Sequence, residues 1–206
     1  MGSQPSLAAP PKVRRAGATD LPLLAPMLAR AFADDPIAEW VSPDPAARMT
    51  MLERFNAARL RHMLPHGEVW MSIGGEATAV WAPPERGGTT PRHELELAAS
   101  MLIPRLLPRL PMVKRGMESV EAEHRRQPPH YYLAVLGTNP AAQGRGLGAA
   151  VLAPVLEQCD RDGIGAYLES SKERNLDYYA RFGFQVKTTL PMPNGPPMWG
   201  MWRDPR

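Results

Sequence analysis

Apolar residues recur along this chain at two spacings, and the switching between them lays out an α/β domain with a mixed sheet. Leu24, Met27, Leu28, Ala31 and Phe32 fall at helical spacing behind Thr19-Asp20, which offer N-cap chemistry. Asp34-Asp35-Pro36 is expected to end that helix. Met49, Leu52, Phe55, Leu60 and Met63 predict a second helix from about Pro45 to Leu64, stopped by Pro65-His66-Gly67. Lys12–Ala16 reads as a short edge strand. Val69–Ile73 and Ala77–Trp81 are β-prone runs around Gly74-Gly75-Glu76, a hairpin signal. Tyr131–Thr138 is apolar at both alternating sets of positions, as in a strand covered on both faces. A helix to about Asp162 follows, with Leu147, Val151, Val155 and Cys159 as an i, i+4 stripe. Pro154 inside it predicts a kink or a lost hydrogen bond. Ala166–Ser170 is the next strand, and Asn175–Phe182 a short helix closed by Gly183. Phe184–Thr189 and Met198–Arg203 predict a last hairpin around Pro191–Pro197.

Length and composition narrow this picture. At 206 residues, 44% hydrophobic and 22% charged, the chain suits one soluble domain from residue 12 to 206 behind a loose tail of residues 1–11. The stretch from about 85 to 129 is the least patterned: helical pieces broken at Pro104, Pro108 and Pro111, readable as an inserted cap over a site. The single Cys159 cannot form an internal bridge and fits a reducing compartment. No run reaches the roughly 18 apolar residues of a membrane span, and the first residues lack a signal-peptide pattern. A cytoplasmic location without a membrane partner is therefore expected. Net charge is +3, with 20 of the 24 basic residues Arg, but the charges are scattered. With no basic stripe carrying interleaved aromatics, a nucleic-acid partner is not expected.

The strongest local chemistry is Gln143-Gly144-Arg145-Gly146-Leu147-Gly148, set between a strand and a helix. Glycines let backbone N–H groups converge on an anion, and the helix N-terminus favours negative charge there. Arg145 adds a cation. The loop thus suits a phosphate or pyrophosphate. A nucleotide P-loop requires Lys then Ser or Thr after the last glycine, whereas Gly148 is followed by Ala149-Ala150. A dinucleotide fingerprint fits Gly144, Gly146 and Ala149, with Glu169 as the distal acid. Five residues separate that loop from its strand, however, and too little chain follows Glu169 for a second half. A Rossmann enzyme stays an alternative.

Leu136-Gly137-Thr138-Asn139-Pro140 with Gln143–Gly148 resembles the acetyl-CoA-binding motif of the GNAT N-acetyltransferase superfamily. Asn175-Leu-Asp-Tyr-Tyr179-Ala-Arg-Phe-Gly183-Phe184 is similar to its second signature. Ala31–Pro36 and Leu168-Glu169-Ser170 look like the puromycin N-acetyltransferase branch. The resemblance implies a GNAT fold, with a mostly antiparallel sheet flanked by helices and splayed central strands holding acyl-CoA. It implies that the amides of Gln143, Gly144, Arg145, Gly146, Leu147 and Gly148 hold the pyrophosphate. Leu136, Gly137 and Thr138 would line the pantetheine arm, and Asn175 would reach the cofactor near its sulfur. Tyr179 would be the general acid to the departing thiolate. Phe32, Asp34 and Asp35 are the expected substrate residues, and residues 85–129 a possible acceptor-site insertion. The implied activity is acetyl transfer to a small-molecule amine by direct attack in a ternary complex, with the protein a monomer or homodimer.

A primary amine of pKa about 10 must lose a proton before it attacks. The general base stays open: the expected central strand has no carboxylate, which leaves Glu169, Asp34–Asp35 through water, or His130. Cys159 belongs to a core stripe. His62 and His66 lack the Glu of a zinc motif, and no metal is expected. Tyr178 and Tyr179 are adjacent, so only one is expected to face the cofactor. A non-catalytic acyl-CoA sensor of the same fold is the other alternative.

Overall fold

The computed structural model describes residues 11–66, 68–84 and 91–206, with the side chain of His66 left aside. Residues 1–10 of the expected tail, the stop at Gly67, the side chain of His66 and the Gly87-Gly88 pair lie outside that description. Seven strands form one sheet: β1 (Val13–Arg15), β2 (Val69–Ser72), β3 (Ala77–Ala82), β4 (Tyr131–Thr138), β5 (Ala166–Ser170), β6 (Gln185–Pro191) and β7 (Pro197–Arg203). Their order is β1-β2-β3-β4-β5-β7-β6. Every neighbour pair is antiparallel except β4–β5. That pattern excludes the doubly wound Rossmann sheet, which is mostly parallel. Among the described residues, no helix is long and apolar enough to cross a membrane.

The helices are α1 (Leu21–Ala31), α2 (Pro36–Val41), α3 (Pro45–Met63), α4 (Pro91–Ser100), α5 (Leu110–His124), α6 (Leu147–Asp162) and α7 (Leu176–Ala180). On one face of the sheet, α6 buries Val151, Val155 and Cys159 against Leu133, Leu168 and Met201. Burial pushes the Cys159 thiol up to about 12, so it packs as a small apolar residue. On the other face, Leu24 and Leu28 of α1 and Leu60 of α3 cover Met71, Val80 and Val135. Truncating fully buried Leu28 to Ala would cost about 2–5 kcal/mol. A third cluster joins Trp40, Met51, Leu106, Val113, Leu190 and Met192 beneath α2, α3 and α5.

Several helix ends differ from the sequence expectation for local chemical reasons. Asp20 does not cap α1. Its carboxylate accepts the Gly17 amide at 2.8 Å and pairs with Arg14 at 2.7 Å, closing a 3-10 turn ahead of the helix. Asp35-Pro36 ends nothing: Asp35 caps α2, accepting from the amides of Ile37 and Ala38, and Pro36 takes the first helical turn, where no N–H is needed. Pro111 likewise opens α5 rather than breaking it. Helix α6 runs unbroken through Pro154, whose ring nitrogen leaves the Ala150 carbonyl without its i+4 donor.

Two irregularities in β4 shape the middle of the sheet. Val80 pairs with Val135 but Trp81 with Leu133, so Ala134 is an extra, bulged residue. A bulge shifts the alternation by one, and Leu133 accordingly faces the α6 core while Val135 faces the α1 core. Pairing between β4 and β5 is confined to Tyr131–Ala166 and Tyr132–Tyr167. Beyond those rungs the two strands separate.

Candidate active site

The separation of β4 from β5 opens a cavity of about 840 Å³. Its walls are β4 from Leu133 to Thr138, the glycine loop, the end of β5, α7, and Ala31, Phe32 and Asp35 at the end of α1. From Leu133 onward, the edge of β4 that faces β5 makes no ladder pairs with it, leaving main-chain groups for a ligand laid alongside.

The loop is built by local rules. Asn139 accepts the Ala141 amide at 3.2 Å and starts a 3-10 turn, Pro140–Ala142. Gly144 (φ +77°) and Gly146 (φ +74°) then take left-handed conformations that a side chain disfavours. Gly146 caps α6, and its carbonyl accepts the first intrahelical bond, from Ala150. The amides of Leu147, Gly148 and Ala149 therefore have no acceptor within the helix, and all three residues line the cavity. Gly137 serves packing: a Cβ there would run into Leu28 of α1.

Gln143, Gly144, Gly146, Leu147 and Gly148 line the cavity with Leu136, Gly137, Thr138 and Asn175. Arg145 does not; it is exposed and lies within electrostatic range of Glu76. Asn175 ends the 3-10 turn that leads into α7. Both tyrosines of α7 line the cavity, whose wall wraps around that short helix. Tyr179 is buried against Phe184, and its phenol pKa is raised by burial, which keeps the hydroxyl a donor. The Tyr178 hydroxyl is buried without a hydrogen-bond partner, 2.7 Å from where a Cβ on Gly148 would sit. Open loop amides, an unpaired strand edge and an orphaned hydroxyl together suit a long ligand carrying amide and phosphate groups, as acyl-CoA does.

On the α3 face of the sheet, Glu169 of β5 lines the same cavity. Its Oε2 accepts from the Tyr132 hydroxyl at 2.7 Å, while Oε1 is buried with no well-formed partner. Burial raises its pKa to about 7 against the opposing pull of Tyr132, Tyr167 and Arg59. The Tyr167 hydroxyl lies beside this carboxylate without a well-formed hydrogen bond of its own. Arg59 of α3 donates to the carbonyl of the bulged Ala134 at 2.9 Å.

The other candidate bases are placed differently. Asp34 lies outside the cavity lining and pairs with Lys172 at 2.6 Å and Arg174 at 2.9 Å. Hydrogen bonding from Lys172 leads the effects that hold its carboxyl below the usual range. Asp35 lines the cavity, but Oδ1 caps α2 and Oδ2 accepts from the Ser171 hydroxyl. These two carboxylates clamp the α1–α2 junction to the β5–α7 loop, with Asp35 and Phe32 in the cavity lining and Asp34 beside it. His130 is also outside the lining. Its Nδ1–H donates to the Pro128 carbonyl at 2.7 Å, so Nε2 accepts from Nε2–H of His124 at 3.1 Å. Burial lowers both pKa values, His124 to about 4, and keeps the pair neutral. Among the described residues, none from 91 to 129 lines the cavity, and none forms a cluster of three metal-binding side chains with others.

Sequence reading missed Tyr132, Arg59 and the Ser171–Arg174 clamp. Asp35-Pro36 followed by apolar residues was a legible helix start. Nothing in the sequence marks Arg59, since its meaning comes from a bulge on a strand 75 residues away.

Residues 116–184 match the model of the Acetyltransferase (GNAT) family. An uncharacterised N-acetyltransferase of Schizosaccharomyces pombe is 33% identical over 60 residues, which is 29% of this chain and 24% of that protein. The aligned segment thus spans about a quarter of that relative's length. Whole-chain likeness comes from solved structures. A Corynebacterium glutamicum protein described as histone acetyltransferase HPA2 and related acetyltransferase superposes with a TM-score of 0.61 at 23% identity, covering 96% of this chain and 98% of its own. A Drosophila melanogaster polyamine N-acetyltransferase gives 0.56 at 17%, over 94% and 99%. Arylalkylamine N-acetyltransferase 2 of Aedes aegypti gives 0.61 at 12%, over 95% and 99%. The fold is therefore the GNAT fold: a seven-stranded, mostly antiparallel sheet flanked by helices.

Proposed function

We propose that the protein is an acetyl-CoA-dependent N-acetyltransferase that moves an acetyl group directly to the amine of a small molecule. One observation carries the reading: a carboxylate oxygen, buried and unpartnered, shares a cavity with an open anion-binding loop. The loop amides would take the pyrophosphate and the free edge of β4 the pantetheine amides. A donor near Leu136 would polarise the thioester carbonyl as charge develops on its oxygen. Glu169 would take the amine proton on Oε1 while Tyr132 holds Oε2. Nitrogen then attacks the carbonyl carbon, the C–S bond breaks as Tyr179 gives its proton to the departing sulfur, and the acylated nitrogen sheds its extra proton to solvent, from which the phenol is restored. Aligning both substrates beside these groups supplies several kcal/mol of orientation without a covalent enzyme intermediate.

The likeness to the puromycin branch supports a small acceptor, as do neighbours named for polyamine and arylalkylamine acetylation. No metal enters this scheme. A cytoplasmic monomer or homodimer, without nucleic-acid or membrane partners, goes with it. The test is release of free thiol from acetyl-CoA across an amine panel, with mass detection of the acetylated product. Turnover of at least one amine, absent without protein, is expected. Tight acetyl-CoA binding with no turnover of any amine would favour the sensor instead.

A further inference from the structure

Arg59 stands apart from every group used so far. It sits on α3, far in sequence from β4 and β5, yet its guanidinium bonds to the β4 bulge and acts electrostatically on Glu169. Nη1 donates at 2.9 Å to the carbonyl of Ala134, the residue extruded by the β4 bulge. The Phe55 ring lies 4.7 Å from the guanidinium carbon and holds it from below. In this half-buried position the charge interacts with Tyr132 and Glu169 and has no carboxylate in a salt bridge with it among the described residues. Desolvating a cation is costly, and here desolvation lowers the Arg59 pKa while Tyr132, Glu169 and the bulge carbonyl offset part of that cost.

We propose that Arg59 is a positioning residue of the transfer site, fixing the β4 bulge through Ala134 and supplying the counter-charge that keeps Glu169 ready to accept the amine proton. This inference rests on the assignment of Glu169 as the base. The groups around that carboxylate come from four elements: Tyr132 on β4, Tyr167 on β5, Arg59 on α3, and His124 on α5, whose ring lies 4.3 Å from that of Tyr132. Glu123 of α5 also reaches Tyr167 electrostatically. Both tyrosines stay protonated and His124 stays neutral through the range where Glu169 titrates. Among the described residues, Arg59 is thus the one cation acting on it. Removing that cation disfavours the carboxylate, so the pH at which the base becomes available must rise.

The test is the pH dependence of the single-turnover rate with acetyl-CoA and an accepted amine, in wild type, Glu169→Gln, Arg59→Gln and Arg59→Lys. The wild-type rate should rise through about pH 7, and Glu169→Gln should lose that limb. Arg59→Gln should keep the limb but move it up by about one pH unit, with the KM for acetyl-CoA unchanged. Arg59→Lys, which retains the charge, should return it close to the wild-type position. Arg59→Met serves as a second neutral variant, and the limb is read in whichever of the two melts cooperatively. A limb unmoved in the neutral variants, yet absent in Glu169→Gln, overturns the role of Arg59 and leaves the base intact. A limb that survives in Glu169→Gln overturns the base itself, and the inference falls with it.

Discussion

On the α6 side of β4, the cavity wall comes from one stretch of chain, residues 136–138, 142–144 and 146–149, with Asn175, Tyr178 and Tyr179 opposite. On the α3 side, the groups come from residues 59, 132 and 169, brought together by a bulge and two rungs of parallel pairing. The α6 side is mostly main chain, with amides whose direction is fixed by glycine φ angles and a helix start. The α3 side is side chains, whose behaviour depends on burial. On the proposed reading, the main-chain wall serves the cosubstrate and the side-chain groups serve the amine proton. On our reading, acid and base flank the gap, Tyr179 against the α6 core and Glu169 against α3.

The sharpest way to break that division is Tyr179→Phe. It removes one hydroxyl and leaves the ring packed on Phe184. If the phenol protonates sulfur only as the thioester breaks, the single-turnover rate should fall about 10²–10⁴-fold. Acetyl-CoA affinity should hardly change, because the bond matters in the transition state. A parental rate would remove Tyr179 from the chemistry.

Next in size is Gly146→Val. A Cβ there meets no protein atom within 4 Å, so crowding inside the protein is not the constraint; φ +74° is. The left-handed conformation should cost about 1–2 kcal/mol, visible as a lower melting temperature. Relaxation of that strain turns the loop amides away, so acetyl-CoA affinity should fall as well. Gly163→Val is the matched control, with φ +65° at the other end of α6 and equally open space. It should show the same melting loss with unchanged affinity. Equal affinity losses in both variants would deny the loop a special role. Asp35→Ala comes third, costing about 0.5–2 kcal/mol by uncapping α2, with loss of its bond to Ser171 besides. Denaturant melts would read it.

The two walls also differ in how far sequence foretold them. The α6 wall was legible because its rules are local: a strand, a proline stop, glycines and an apolar stripe in consecutive residues. The Schellman-like end at Gly183, with the Phe184 amide reaching the Tyr179 carbonyl, is local in the same sense. The α3 wall was not, because Ala134 looks like any strand residue until its partner register is known. Glu169 was visible as a carboxylate, but its pKa of about 7 comes from burial, opposed by Tyr132, Tyr167 and Arg59, and burial is set by the tertiary fold. The partners of Asp34 and Asp35 were hidden for the same reason: Lys172, Arg174 and Ser171 lie more than a hundred residues away in the chain.

The smallest expected effect separates Tyr178 from Tyr179, and it has two opposite signs. The Tyr178 hydroxyl is buried beside the start of α6 with no partner, and burial raises its pKa to about 12. An unsatisfied buried hydroxyl costs about 1–3 kcal/mol, so Tyr178→Phe should not destabilise the ligand-free protein and should raise its melting temperature slightly. On the proposed reading, bound acetyl-CoA would give this hydroxyl a phosphate or amide acceptor. The same substitution should then weaken binding by roughly fivefold to tenfold, about 1 kcal/mol. Rates at saturating acetyl-CoA should stay near parental, unlike those of Tyr179→Phe. Isothermal titration of acetyl-CoA, beside thermal melts with and without it, reads both signs in one preparation. Unchanged affinity together with a raised melting temperature would make Tyr178 a packing residue and leave the α6 wall to the main chain alone.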